Sequence, residues 1–364
     1  MSYPILEIDL KKIYQNAFTL NSKCLGQNIS VSGVIKGANG LIEIAKEFEK
    51  ANLAHIASSR IRELIEVYNS DITLPTMLVR IPMKSEIENL VKYVDISLNS
   101  ELETIIEIEK ECKKQGKTHK VILMFDLGDL REGYFLEENI IKTALYIENN
   151  LEFVKLHGIG SNLSCYGSVV PTKTNLTTLC NIATKIENKI NRNLDIISGG
   201  ATTSVPLLFK NKIPKKINNL RIGEAILLAV DLEEFWNVDM SDMYKDAFIL
   251  KAEIIEIKTK PSHPIGKLFI DAFGNKPIYT DIGKRKRALL ALGKKDIGDH
   301  DKLIPIDKNI KVVGSSSDHL IIDIEDTTEF YNIGDIIKFK MYYQAMLFSS
   351  ASPDVSIKFK YNTL

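Results

Sequence analysis

The stretch Val31-Ser-Gly-Val-Ile-Lys36-Gly-Ala-Asn-Gly40 reads as a short buried strand that closes on a lysine and turns at once. Val and Ile suit a pleated, buried surface, and Gly-Ala-Asn-Gly breaks it. Outward from this stretch the chain repeats the same unit. Apolar runs at Ile5–Ile8, Ser32–Ile35, Ala54–Ala57, Met77–Arg80, Val94–Leu98, Lys120–Asp126, Phe153–Gly158, Leu194–Ser198 and Asn219–Ile222 alternate with amphipathic stretches. Ser100 to Gly116 is one of these, with Leu102, Ile105, Ile106 and Ile108 as its apolar residues and Glu109 and Lys113 as an i,i+4 pair. Eight or nine such units in about 230 residues predict a closed (β/α)8 barrel of parallel strands. An open nucleotide-binding sheet would start on G-x-G-x-x-G, which the first unit lacks.

Beyond Val238 the rhythm changes. Phe248–Lys258, Lys267–Ile270, Ala288–Leu292, Ile310–Val313, Leu320–Ile324 and Ile336–Met346 read as strands separated by Gly, Pro and Asn turns, with long helices absent. A second, mostly antiparallel β domain is expected over 236–364, after a barrel over 1–235, and the first few residues are candidates to pack with it. The boundary region, Leu232 to Met243, carries the lone Trp236 and several acids but no flexible linker.

Composition narrows the function. The 364 residues hold 47 Lys+Arg against 47 Asp+Glu, and 45% are hydrophobic. A neutral balance gives no reason to expect nucleic acid or anionic lipid, and no apolar run approaches a membrane span. Cys24, Cys112, Cys165 and Cys180 have neither metal-ligand nor disulfide-framework spacing, so no metal site is expected. The opening residues carry no export pattern, and a cytoplasmic protein is the expectation.

Residues at the C-terminal ends of barrel strands face the catalytic mouth. Lys36 ends one such strand. It either reaches water or sits desolvated, and desolvation lowers an amine toward a nucleophilic, neutral form. Ile197-Ser-Gly-Gly-Ala-Thr-Thr-Ser204 is a strand-to-helix turn whose amides and hydroxyls suit an anion, although N-capping explains the same residues. Asn219-Leu-Arg-Ile-Gly-Glu224 ends another strand on Arg221, which needs an acceptor or a structural ion pair.

Together these features resemble the alanine-racemase-type fold of pyridoxal phosphate enzymes. The resemblance spans the chain: Ile8-Asp-Leu, Lys36, Asp126-Leu-Gly-Asp-Leu-Arg-Glu-Gly133, His157-Gly-Ile-Gly-Ser-Asn-Leu163, Ser198-Gly-Gly200, Arg221-Ile-Gly223 and Ser316-Ser-Asp-His319. In wording, Asn162-Leu-Ser-Cys-Tyr-Gly167, Asn218 through Leu228 and Asp271-Ala-Phe-Gly-Asn-Lys-Pro277 are most similar to the ornithine and lysine racemase branch.

The resemblance implies a pyridoxal 5'-phosphate racemase of ornithine, with lysine and alanine next, working as a homodimer with shared active sites. Lys36 would hold the cofactor as a Schiff base and serve as the base on one face of Cα. Arg221 would face the pyridine nitrogen, and Thr202 with the amides of Gly223 and Glu224 would hold the phosphate, the Glu224 side chain meeting solvent or a salt bridge. Arg131 would meet the cofactor's phenolic oxygen or the substrate carboxylate. Asn162 would lie against the ring face, and Ser317 and Asp318 would contact substrate.

Several positions depart from the pattern. Racemisation needs a second acid/base on the opposite face, and Phe273 of Ala272-Phe-Gly274 stands where a tyrosine is usual. Cys165, Asp318 and His319 are the leading replacements, with Tyr279, Tyr342 and Tyr343 behind them. Met124 replaces a lysine, which removes a positive neighbour of Arg131. Gly40 replaces a phosphate-binding tyrosine and is expected to open space. A distal amine on the substrate needs a carboxylate, for which Asp129, Glu132 and Asp318 are candidates. Rival readings are a basic amino acid decarboxylase or D-amino acid aldolase of this fold, or a non-catalytic pyridoxal phosphate-binding protein.

Overall fold

The computed structural model describes residues 2–361. The first strand, β1 (Ile5–Asp9), leads into a helix over Leu10–Leu25. Among the described residues eight parallel strands then close a barrel: β2 (Ser30–Val34), β3 (His55–Ser58), β4 (Thr76–Leu78), β5 (Ile96–Asn99), β6 (His119–Met124), β7 (Val154–Gly160), β8 (Ile196–Ser198) and β9 (Asn219–Ile222). The closure is made between β9 and β2, where Val31 stands against Leu220 and Ser32 against Arg221. This is the barrel expected from the sequence.

Strand alternation explains the two layers of apolar packing. On β6, Val121 and Leu123 pack outward with helix residues such as Ile108, Ile140 and Ile147, while Ile122 and Met124 pack inward with Val34, Ala57, Met77 and Leu98. Burying the two layers excludes water from both faces of the strands, which is why these strands are rich in Val and Ile. The fit is tight at Gly158, where a Cβ would lie 1.9 Å from the Ile196 carbonyl oxygen. No larger residue can stand there without separating β7 from β8.

A polar cluster is also buried beside β5 and β6. His119 Nδ1 meets the Val94 carbonyl oxygen at 3.1 Å and its Nε2 meets Ser97 Oγ at 2.8 Å, while Asn99 Nδ2 donates to the same hydroxyl. The carbonyl can only accept, so Nδ1 carries the proton and Ser97 donates to Nε2. His55 similarly meets Ser32 Oγ at 3.0 Å.

The chain forms two compact units, Lys11–Tyr244 and Met1–Leu10 with Lys245–Leu364. The sequence reading set its boundary after residue 235. Val238, Met240 and Met243 are buried, and Asn16 of the long first helix accepts the Tyr244 N–H at 2.8 Å, which ties this segment to the barrel unit.

The second unit is an eight-stranded sheet among the described residues. Its strands are β1 with β10 (Phe248–Pro261), β11 (Lys284–Leu290), β12 (Leu303–Pro305), β13 (Lys311–Ser315), β14 (Leu320–Asp323), β15 (Ile336–Met341) and β16 (Ser356–Lys360). β1 runs antiparallel to β10 and parallel to β16, so the first strand candidate belongs to this sheet and not to the barrel. Two further expectations need correction. Lys267–Ile270 is not a strand: Leu268, Phe269 and Ile270 are exposed and have no ladder to join. The run read as one strand to Met346 stops at Met341, and a helix follows over Tyr343–Ser349, burying Ala345 and Met346 on one face.

Candidate active site

The barrel strands deliver the candidate residues from the ends that chemistry requires. Lys36 opens a one-turn 3-10 helix just after β2, with Gly37 and Ala38 buried beneath it. Burial holds its amine below the ordinary lysine range, and Arg131 and Arg221 push the same way, whereas Cys165 and Glu132 oppose them. A lysine so placed is more easily neutral, as a nucleophile or proton acceptor must be.

Arg221 lies on β9 and is 4% exposed. Its Nη1 donates to Ser198 Oγ and its Nη2 to the Ser161 carbonyl oxygen, the latter at 2.8 Å. Gly160 gives it room, because a Cβ there would stand 3.4 Å from Nη1. Burial lowers the guanidinium's pKa, Glu132 opposing, but it remains a cation at neutral pH. Among the described residues it makes no ion pair. A buried cation held only by neutral oxygens has capacity left for another acceptor.

The turn after β8 is built from small residues for a steric reason. Gly200 has φ +110°, and a Cβ on Gly199 would press within 2.7 Å of Ile217. The turn runs into Thr202, whose Oγ1 accepts the Ala225 N–H at 3.3 Å. That bond joins the start of the Thr202–Ser204 turn to the start of the helix over Glu224–Leu227, capped by Gly223. Two helical starts sharing a hydroxyl present their first amides together, the arrangement that suits a phosphate.

Glu224 differs from its expected exposure. Its side chain is buried, Oε1 accepts the Asp231 N–H at 3.2 Å and Oε2 has no partner. Burial raises its pKa, with Asp231 adding to the effect. The space expected at Gly40 is also filled. A Cβ on Gly40 would lie 2.5 Å from Glu63 Cγ, and buried Glu63 accepts a hydrogen bond from Ser58 Oγ.

The turns after β6 and β7 are tied together by one carboxylate. Buried Asp129 accepts the backbone N–H groups of Ser164, Cys165, Tyr166 and Val169 at 3.0 to 3.3 Å. These amides hold its carboxyl below the usual range against the opposing effect of burial. Gly167 lets the loop lie on the Asp129 backbone, since a Cβ would come within 2.6 Å of its carbonyl oxygen. The clamp presents Asn162 and Cys165, whose Nδ2 and Sγ are 2.9 Å apart. Cys165 is the exposed thiol among the four, and it lies within electrostatic reach of both Lys36 and Arg221.

Arg131 pairs with its neighbour Glu132, Nη2 to Oε1 at 2.7 Å. Lys36, Arg131, Asn162, Cys165, Thr202, Arg221, Gly223 and Glu224 therefore all belong to the barrel unit. Ser317, Asp318 and His319 belong to the β unit. There Ser317 Oγ donates to Asp318 Oδ2 at 2.6 Å, Asp318 pairs with Lys295 at 3.2 Å, and the His319 N–H donates to Ser316 Oγ at 3.1 Å. Ser317 and Phe273 line an open hollow of about 400 Å³ with Lys294, Asp299 and Gln344. The Lys294 ammonium sits 4.3 Å from the Phe273 ring centroid, a cation–π contact that engages the ring and transfers no proton.

Sequence reading missed the Asp129 clamp, the Ser161 carbonyl under Arg221 and the Ser58–Glu63 pair. The D-L-G-D-L-R-E-G string flagged the first, but nothing in it names a partner 35 residues away. Among the described residues no His, Cys, Asp or Glu cluster has the makings of a metal site, and no helix is long and apolar enough to cross a membrane.

The donor set fits pyridoxal phosphate: a half-buried amine, an unpaired buried guanidinium, a hydroxyl at two helical starts, and Ser161 Oγ buried with no partner. Comparison with known proteins agrees with this geometry. Residues 8–230 match the family described as alanine racemase, N-terminal domain. Along its whole length the chain is similar in fold to the crystal structure of alanine racemase from D-cycloserine-producing Streptomyces lavendulae. The TM-score is 0.78, with 14% identity and 100% and 99% of the two chains covered. The chain belongs to the alanine racemase family. Within it, the chain is 44% identical to the ornithine racemase of Acetoanaerobium sticklandii over 348 residues, which is 95% of this chain and 96% of that one. It is 37% identical to the lysine racemase of Thermotoga maritima over 355 residues, 98% of each.

Proposed function

We propose that the protein is an amino acid racemase that interconverts L- and D-ornithine with pyridoxal 5'-phosphate as cofactor. The observation that carries the reading is Lys36, a half-buried amine at the end of a barrel strand that lies within electrostatic reach of the buried cation Arg221, in a chain 44% identical to an ornithine racemase.

When bound, pyridoxal phosphate supplies a carbonyl for the substrate amine and a π-system that withdraws electrons from Cα. Lys36 Nζ would hold the cofactor and would be the group that moves a proton to or from Cα on one face. Arg221 would donate to the ring nitrogen while keeping its own proton, which would limit electron withdrawal and suit return of a proton to Cα. Thr202 and the amides of Gly223 and Glu224 would hold the phosphate, and Asn162 would be the side chain against the ring. Arg131 takes the α-carboxylate, for which a guanidinium fork is well shaped.

The proton on the opposite face needs a second group. Cys165 takes that part in this reading, because it lies within electrostatic reach of Lys36 and the Asp129 clamp fixes its loop. Asp318 and His319, with Ser317 as a substrate contact, are the β-unit candidates. A cytoplasmic homodimer with shared sites completes the proposal. It is supported by the exposed apolar residues Ile265 and Ile278, 90% and 97% accessible, on a stretch that a solitary subunit would leave wet.

The test is to incubate the cofactor-loaded protein with single L-amino acids in D₂O and follow Cα–H exchange by NMR and product chirality together. Exchange with appearance of D-ornithine is expected. Exchange without inversion, or silence on ornithine and lysine alike, overturns the reading.

A further inference from the structure

Arg131 and Glu132 form an ion pair on the turn after β6. Arg131 Nη2 donates to Oε1 at 2.7 Å and Nε meets Oε2, and among the described residues each is the other's only charged partner. Both act on the charges of Lys36 and Arg221, so the pair belongs to the same mouth.

The other carboxylates are engaged elsewhere. Asp129 is saturated by four backbone amides, and Asp126 accepts Gly128 and Leu130. Glu63 is enclosed against Gly40 and Ser58. In the β unit Asp318 holds Lys295 and Ser317. Glu132 differs from these because its partner is the very residue assigned to the substrate carboxylate.

A substrate carboxylate that takes Arg131 removes that partner. An amino acid with a neutral side chain then leaves Glu132 as an unpaired anion in a partly enclosed site, which costs free energy. An amino acid with a distal ammonium supplies the replacement itself, so one internal pair becomes two pairs and no charge is stranded. Selectivity then arises from the penalty on the wrong substrate as much as from attraction to the right one.

We propose that Glu132 is the specificity-determining residue of the site, selecting diamino acids by receiving their distal ammonium as Arg131 receives the α-carboxylate. The inference rests on the reading of the site as an ornithine racemase.

The test compares L-ornithine with L-norvaline, which has the same carbon chain without the distal amine, using cofactor-loaded wild type, Glu132→Gln and Glu132→Asp. Wild type should favour ornithine through KM. Glu132→Gln should lower the ornithine-over-norvaline ratio of kcat/KM by about 10- to 100-fold, mainly through ornithine KM, and Glu132→Asp should restore part of it. A ratio unchanged in Glu132→Gln overturns the proposal while leaving the racemase reading intact. Wild type that handles both substrates with equal KM overturns it without any variant. Wild type inert toward ornithine and lysine removes the racemase reading, and the proposal falls with it.

Discussion

The carboxylate of Asp129 accepts the backbone N–H of Tyr166 at 3.0 Å, across 37 residues of chain. With three further amides of the same loop it forms a charge-assisted clamp that holds Cys165 at the mouth. Asp129→Asn keeps the shape of the side chain but replaces one accepting oxygen with an NH₂ group, which opposes the loop amides. Amides 164–169 are expected to exchange with D₂O about tenfold faster or more, with barrel-strand amides unaffected. In the loaded enzyme kcat should fall more than KM changes. Unchanged loop exchange in a well-folded variant would show that the clamp does not restrain the loop.

Lys36 and Cys165 are separable by isotope. Lys36→Ala should lose the cofactor's visible absorbance and racemisation together. Cys165→Ala should retain the absorbance, lose about 100-fold or more of racemisation, and still exchange the Cα–H of one enantiomer without inverting it. Full racemisation by Cys165→Ala would move the opposite-face role to Asp318 or His319.

His55 and His119 make stability depend on pH in a predictable direction. Burial pushes both imidazoles from 6.5 down to about 4. Between those values the unfolded chain binds protons that the folded chain refuses, so stability is full above about pH 6.5 and declines as pH falls toward 4. The slope is at most about 1.4 kcal/mol per pH unit for each histidine. Urea unfolding of wild type and His119→Gln at pH 7 and pH 5 measures this, and the variant should lose less between the two. Equal losses would remove His119 as a contributor.

The barrel was legible because its strands are buried on both faces and announce themselves as Val- and Ile-rich runs; Asn219–Ile222 was read to the residue. Lys36 and Arg221 were legible for a related reason, as cations interrupting such runs. Periodicity carries no information about pairing partners. Ile5–Ile8 therefore looked like one more unit of the rhythm, although its ladder lies with residues some 240 and 350 positions later. The segment 267–270 failed in the opposite sense, since an apolar pattern does not reveal whether a neighbouring strand is present to pair with it. The burial of the Glu224 side chain was missed because a glutamate beside a glycine turn looks like a surface residue, whereas the short helix it opens is buried on every side.

The pairing of β1 between β10 and β16 has a consequence for biosynthesis. β1 emerges from the ribosome before the barrel strands, but its antiparallel partner follows only after the entire barrel and its parallel partner some 350 residues later. The barrel's strand pairings, apart from its closure, join successive βα units and can begin to form during translation, whereas β1 must wait for β10 and then for β16 to emerge. A nascent chain stalled near residue 350 would carry every strand of the barrel and still leave Leu6 and Ile8 uncovered on one edge, a form suited to recognition by chaperones.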